Sequence, residues 1–244
     1  LRQIGPYESV IRSVFRRYEI PLEIHERERL RHAPLIQPLL YLLAIFVNGW
    51  KREDLLNFLK SSYVRRFGLV PKSYEWVGRL EHGALQQGVF SGRENWLTEW
   101  IEKAGEMGRM GRLLPEGFHE TKSRSLGALA ELEDRLRQAK TYKELRALFW
   151  NALQDTFGIF ELAEGDDEAR RRDGFSVRRV QALLEEISSH LSKRDAGMTL
   201  EEFARHLKKL VDLDLYSIHE RDKNRVQIYD ISLARQKEYK IVFV

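Results

Sequence analysis

The chain has 244 residues, 43% of them hydrophobic and 32% charged, enough apolar side chain for one large packed domain or two small ones and too much for a disordered chain. The 41 Lys and Arg against 37 Asp and Glu leave a formal net charge of +4, a mild basic excess that permits a polyanionic partner without demanding one. There is no cysteine, which excludes a disulfide scaffold, a thiolate-held zinc or iron–sulfur centre and a cysteine nucleophile in this segment.

In chain order, Tyr7, Val10, Ile11, Val14, Phe15 and Tyr18 share one helical face. Ile20-Pro21 ends that helix, because proline has no donor and pushes its predecessor out of helical geometry. Leu22–His25 reads as a strand. After Pro34 a helix buries Leu35, Leu39, Leu42, Leu43 and Phe46 and stops at Asn48-Gly49; the next, over 51–60, turns Leu55, Leu56 and Leu59 inward. From 63 to 92 the glycines 68, 78, 83, 88 and 92 are expected to break the chain into short pieces. A helix is expected over 95–104 and a glycine-rich stretch over 105–117. Further helices form around Leu126, Leu129, Leu132 and Leu136, and then around Leu145, Leu148, Phe149, Ala152, Leu153 and Phe157.

Residues 161–174 are charge-dense and read as a mobile loop. Val180, Leu183, Leu184, Ile187 and Leu191 mark another helix. Thr199 and Glu202 have the spacing of a capping box opening a helix that buries Leu200, Phe203, Leu207, Leu210 and Val211. The pattern then changes to alternation. Residues 215–220 and 225–231 flank Asp222-Lys223-Asn224 as a plausible hairpin, and 240–244 is a further strand. The fold class is therefore mainly α, a helical body with a little sheet near both chain ends. The start at Leu1 and the stop inside the apolar run Ile241-Val242-Phe243-Val244 suggest an excerpt of a longer protein.

No catalytic motif survives inspection. A P-loop needs Gly-x4-Gly-Lys-Ser/Thr, but Val89 and Phe90 follow Gly83 and Gly88. His119-Glu120 lacks the second histidine of a zincin. Asp166-Asp167-Glu168 lacks the spacing of a calcium loop. Asp230 with Glu238-Tyr239-Lys240 mimics a two-metal nuclease pattern, although Arg235 and Lys237 intervene. Three basic clusters remain as candidate phosphate contacts: Arg65-Arg66, Arg109 with Arg112, and Arg170-Arg171-Arg172. A solvated basic face is the plainer reading of any one of them. Trp50, Trp76, Trp96, Trp100 and Trp150 could stack on bases, but at helical spacing among Leu and Ile they read as core.

The two ends carry a resemblance. Residues 8–46, with Glu19-Ile20-Pro21-Leu22-Glu23-Ile24 at their centre, resemble the passage of UvrD/RecB-like superfamily-one helicases in which a helix leads to a "gIPy.i" strand and a helical insertion follows. Residues 229–244 resemble the returning motif "mTiHxaKGLEfxvVfv" without a gap. Glu238, Tyr239 and the apolar strand are kept, while Asp230, Ser232, Arg235, Gln236 and Lys237 replace the family's threonine, histidine, lysine, glycine and leucine. This degenerate form is most similar to the helicase-like B subunit of AddAB (RexAB) helicase–nucleases.

The resemblance implies a stub of the second RecA-like lobe over 1–30, a helical insertion (2B-like) domain over 31–214, and a hairpin with the return strand over 215–244. It implies a non-catalytic role in positioning single- or double-stranded DNA and docking a helicase/nuclease partner subunit in bacterial DNA repair and recombination. Arg235 is the leading DNA contact, joined by Ser232, Lys237, Arg65, Arg66, Arg109 and Arg112. No cofactor or metal is expected in this segment; ATP and magnesium are implied for the parent protein. The location expected is cytoplasmic, away from any membrane. The alternative is a helical protein–protein interaction domain with no nucleic-acid role. One structural expectation follows: Leu22–His25 should lie beside the strands of 226–231 and 240–244.

Overall fold

A computed structural model describes residues 4–25, 28–67, 70–71, 73–100, 117–161, 167–191, 197–216 and 224–229. Helix α1 (Glu8–Arg17) leads through a positive-φ Glu19 into strand β1 (Leu22–His25), and β2 (Glu28–Arg29) follows. The body then comprises α2 (Ile36–Val47), α3 (Arg52–Lys60), a ribbon of β3 (Arg66–Phe67) with β4 (Val70–Pro71), α4 (Tyr74–Gln86), α5 (Arg93–Leu97), α6 (Phe118–Gln138), α7 (Tyr142–Asn151), α8 (Asp167–Leu191) and α9 (Leu200–Leu213). Strands β5 (Leu215–Tyr216) and β6 (Val226–Tyr229) return to the beginning of the chain. The mainly helical class read from the sequence is what the structure has.

Helix α2 is the centre of the body. Leu39, Leu42, Leu43, Ile45 and Phe46 are all buried, and the helix packs against α3 on one side and α9 on another. The core continues through Leu126, Leu129 and Leu136 of α6, Leu145 and Phe149 of α7, and Phe203 and Leu207 of α9. Edge-to-face aromatic pairs lock it: Phe58 on Phe157 at 5.0 Å and Phe149 on Phe203 at 5.5 Å between ring centroids. The capping box expected at α9 is formed, with the Glu202 N–H donating to Thr199 Oγ1 at 3.2 Å and the Thr199 N–H to Glu202 Oε2 at 3.0 Å.

The chain ends meet as expected. Strand β1 pairs with β6 in parallel, Leu22 opposite Val226 through His25 opposite Tyr229. Gln227 Nε2 donates to the buried Glu23 carboxylate at 2.6 Å, and the Val226 N–H donates to the Pro21 carbonyl at 2.8 Å. Residues 230–244, which hold the other expected strand, lie outside the described residues.

Four expectations are corrected. Among the described residues, β5 and β6 do not pair as a hairpin: β5 pairs antiparallel with β2, and β6 parallel with β1. Two partners at the chain's start compete for those edges, and alternation alone does not say which strand an edge will meet. The stretch after residue 63 is not all short pieces, for α4 runs through Gly78 and Gly83, because Val77, Leu80 and Ala84 bury its inner face and packing outweighs the cost of glycine. Residues 167–174 are not loop but the first turns of α8. They are drawn inward by the buried Asp173, whose carboxylate accepts from the Tyr63 hydroxyl at 3.1 Å. Finally, the helix expected over 95–104 is only the short α5 within the described residues; its last turn closes where the Thr98 hydroxyl donates to the Glu94 carbonyl at 2.7 Å.

Candidate nucleic-acid interface

The predicted contacts fare unequally. Arg65 and Arg66 sit where the chain leaves α3, their backbone N–H groups both donating to the Phe157 carbonyl at 3.0 and 3.1 Å. Arg66 is spent on an ion pair with Glu161, whereas Arg65 is exposed and pairs with no described carboxylate. Arg109, Arg112, Ser232, Arg235 and Lys237 lie outside the described residues, as do Asp230, Glu238 and Lys240. Of the third cluster, Arg172 lies against the buried Asp173 at 3.7 Å, while Arg170 and Arg171 are exposed on α8.

Four of the five tryptophans belong to the packing. Trp50, Trp96 and Trp100 are buried, and Trp76 packs against Phe118 at 6.1 Å. Their indole donors explain why rings with a polar edge can sit inside: Trp96 Nε1 reaches the Trp50 carbonyl at 2.9 Å and Trp100 Nε1 the Asn95 carbonyl at 3.1 Å. Trp50 Nε1 donates to the buried Glu133 at 2.7 Å, which also accepts from Arg137 Nε at 2.9 Å. Arg137 goes on to Glu201 at 2.7 Å and to the Phe46 carbonyl at 3.0 Å, so one network ties α2, α6 and α9. Next to it Arg93 grips Asp134 with both Nη atoms at 2.5 and 2.6 Å and holds that carboxyl below its ordinary range.

Trp150 is the exception. It is only partly buried, its ring rests on Phe160 at 4.5 Å and 32°, and it lines a pocket of about 220 Å³ between α7 and α8. Arg146 and Asn151 face the pocket from α7, and Gln181, Leu184 and Glu185 from α8. The floor is fixed, since the buried Tyr142 hydroxyl donates to the Leu184 carbonyl at 2.7 Å and joins the two helices. Helical spacing assigns all five tryptophans one role; the clue to this one is its own surroundings, Arg146 one turn before it and Asn151 directly after.

Two further charges have no local signal in the sequence. Lys122 is buried on α6, donating to the Thr98 carbonyl at 2.5 Å and lying 4.4 Å from the Trp100 ring centre; burial pulls it down to about 8, against the opposing pull of Glu99. Asp214, at the end of α9, accepts both donors of Arg179 at 2.5 and 2.7 Å, and its carbonyl takes the Leu30 N–H at 3.0 Å, so it pins α8, α9 and the start of the body together.

The glycines 83 and 88 do not form a phosphate cradle. Gly83 lies inside α4 and Gly88 follows its C-terminal end with φ +67, whereas a P-loop runs into a helix N-terminus. Among the described residues there is no group of three His, Asp or Glu side chains able to hold a metal, and no helix is long and apolar enough to cross a membrane.

No family model matches the chain. Curated proteins do. The chain is 24% identical over 263 aligned residues to the B subunit of the ATP-dependent helicase/deoxyribonuclease of Lysinibacillus sphaericus (strain C3-41), an alignment covering 100% of the chain and 22% of that protein. Its homologues are helicase/deoxyribonuclease B subunits. The protein of the same name from Desulforudis audaxviator (strain MP104C) is 22% identical over 266 residues, again 100% of the chain and 22% of the relative. That from Natranaerobius thermophilus is 25% identical over 229 residues, 89% of the chain and 17% of the relative. The likeness therefore runs through the helical middle as well as both ends, and the chain spans about a fifth of the length of these B subunits.

Proposed function

We propose that the chain is the helical insertion domain of a helicase-like B subunit, carried on two pieces of the parent's RecA-like lobe, and that it positions DNA and docks a partner subunit in an ATP-dependent helicase/nuclease. The observation that carries the reading is the parallel pairing of β1 with β6, joining residues 204 positions apart in sequence. Parallel strands cannot be joined by a tight turn and need a crossover; here the crossover is the whole helical body. A two-stranded sheet is marginal alone, and parallel strands are characteristically covered on both faces within larger sheets. A pair of this kind fits the edge of a larger sheet supplied by the rest of a longer protein. Helix α1 agrees: its Tyr7, Val10, Val14 and Tyr18 are 54%, 60%, 46% and 67% exposed, an apolar face suited to a neighbouring element.

In this reading the segment itself hydrolyses no ATP and cuts no DNA. ATP and magnesium belong to the parent protein's other parts. The cations left for phosphates are Arg65, Arg170, Arg171 and Arg178, which have no carboxylate partner among the described residues; Arg178 instead lies over the Phe175 ring at 4.5 Å. The test is fluorescence anisotropy of labelled single-stranded and duplex DNA against this chain over a salt series. Binding should weaken linearly in log–log form as salt rises, the sign of released counterions. Absence of binding at low salt, or binding indifferent to salt, would favour a protein–protein interaction domain instead.

A further inference from the structure

We infer that the pocket between α7 and α8 receives one unstacked base of single-stranded DNA, laid against Trp150, with the adjoining phosphates carried by Arg146 and Arg178. The inference rests on the DNA-positioning reading and adds to it a site and a strand preference. The pocket of about 220 Å³ is smaller than the roughly 300–1,000 Å³ of sites that enclose a whole small molecule, so it suits one planar group of a longer ligand. Its wall is an indole already backed by Phe160 at 4.5 Å, a prebuilt stacking platform.

The polar rim is uncommitted. Arg146, Asn151, Gln181 and Glu185 make no hydrogen bond or ion pair with a described residue, in a molecule where Arg12, Arg31, Arg66, Arg79, Arg93, Arg124, Arg137 and Arg179 are all paired. Amide and carboxylate edges are the groups that meet the amino and ring-nitrogen edges of bases. Glu185 also repels a phosphate from the interior, which leaves the base to enter and the phosphate to stay outside.

The approach to the pocket has matching charge. On α8, positions 171, 174, 178, 181 and 185 follow one another at three- and four-residue steps and so share one face. Arg171 and Arg178, both exposed, precede Gln181 and Glu185 on that face, a basic track ending at the pocket mouth. A duplex hides its base faces, so the pocket selects single strands.

The test uses a labelled mixed-sequence oligonucleotide, single-stranded and duplex, with the 244-residue chain and its variants. Trp150→Leu should weaken single-strand binding about tenfold with its salt slope unchanged, because stacking and not charge is lost; Trp150→Phe, which keeps a ring, should restore most of it. Arg146→Ala should weaken binding and lower the slope by about 0.7, the share of one phosphate on a single strand. Duplex affinity should stay within twofold in all three. Salt-dependent binding by the parent chain with Trp150→Leu and Arg146→Ala both within twofold of it would overturn the pocket while leaving the DNA reading standing. No binding by the parent chain at low salt would overturn both.

Discussion

Lys122 shows how a single side chain can escape a reading by periodicity. On α6, positions 122, 126, 129, 133 and 136 fall on one face, and the sequence shows three leucines there with a lysine and a glutamate between and before them. A lysine is ordinarily counted as solvated, yet Lys122 is 2% exposed and Glu133 5%. Each is buried because a partner waits: the Thr98 carbonyl and Trp100 ring for one, Trp50 and Arg137 for the other. The partners come from segments distant in sequence, and no local pattern announces them. The consequence for Lys122 is measurable. Burial pulls it from 10.5 to about 8, so between those two pH values the unfolded chain still binds a proton that the folded chain has released, and stability from this group rises with pH. The wild-type chain should therefore gain in melting temperature on Lys122→Met as pH rises from about 8 to about 10.5, while below 8 the methionine chain keeps its full advantage. A difference that stays flat across the window would mean that the ammonium is as well solvated folded as unfolded.

At the scale of elements, helices with a continuous apolar stripe and a boundary signal were legible, and those shaped by distant contacts were not. Helix α2 had Pro34 before it and Asn48-Gly49 after it; α9 had its Thr199–Glu202 box. The first turns of α8 looked like a solvated loop because their decisive contact, Asp173 to Tyr63, joins residues 110 apart. The hairpin expected near the C-terminus failed for the same reason, since β5 and β6 find their partners at β2 and β1. Helix α1 was legible as a helix, but its exposed apolar face was not, because periodicity shows that a face exists and not what covers it. The capping box gives the element-scale prediction. Thr199→Ala removes the acceptor for the Glu202 N–H and one half of a reciprocal pair, and it should cost about 1 kcal/mol in urea unfolding with the m-value unchanged. An unchanged midpoint would mean that packing of Leu200 and Phe203 alone fixes the start of α9.

Considered whole, the molecule divides where its core stops. The contiguous cluster of buried apolar side chains runs from Leu30 to Val211, whereas the buried Ile4 and Ile24 stand outside it. The seam between body and ends is short: Arg29 opposite Leu215, the Leu30 N–H on the Asp214 carbonyl, and Arg179 closing on the Asp214 carboxylate. All three lie on the body's side of β1 and β6. A chain of residues 28–216 thus keeps every member of the cluster and every contact of the seam, and it loses only α1, the parallel pair and their flanks. It should fold by itself, with a cooperative thermal transition and the far-ultraviolet signature of its helices intact. Freed of Tyr7, Val10, Val14 and Tyr18, it should also associate less than the 244-residue chain in sedimentation at equal concentration. The reciprocal piece has no such core, and four residues of parallel ladder are too few to hold it together in water. If the shortened chain instead melts without a transition, the ends are part of the core, and an insertion that folds as its own unit between two pieces of a lobe is the wrong description of this architecture.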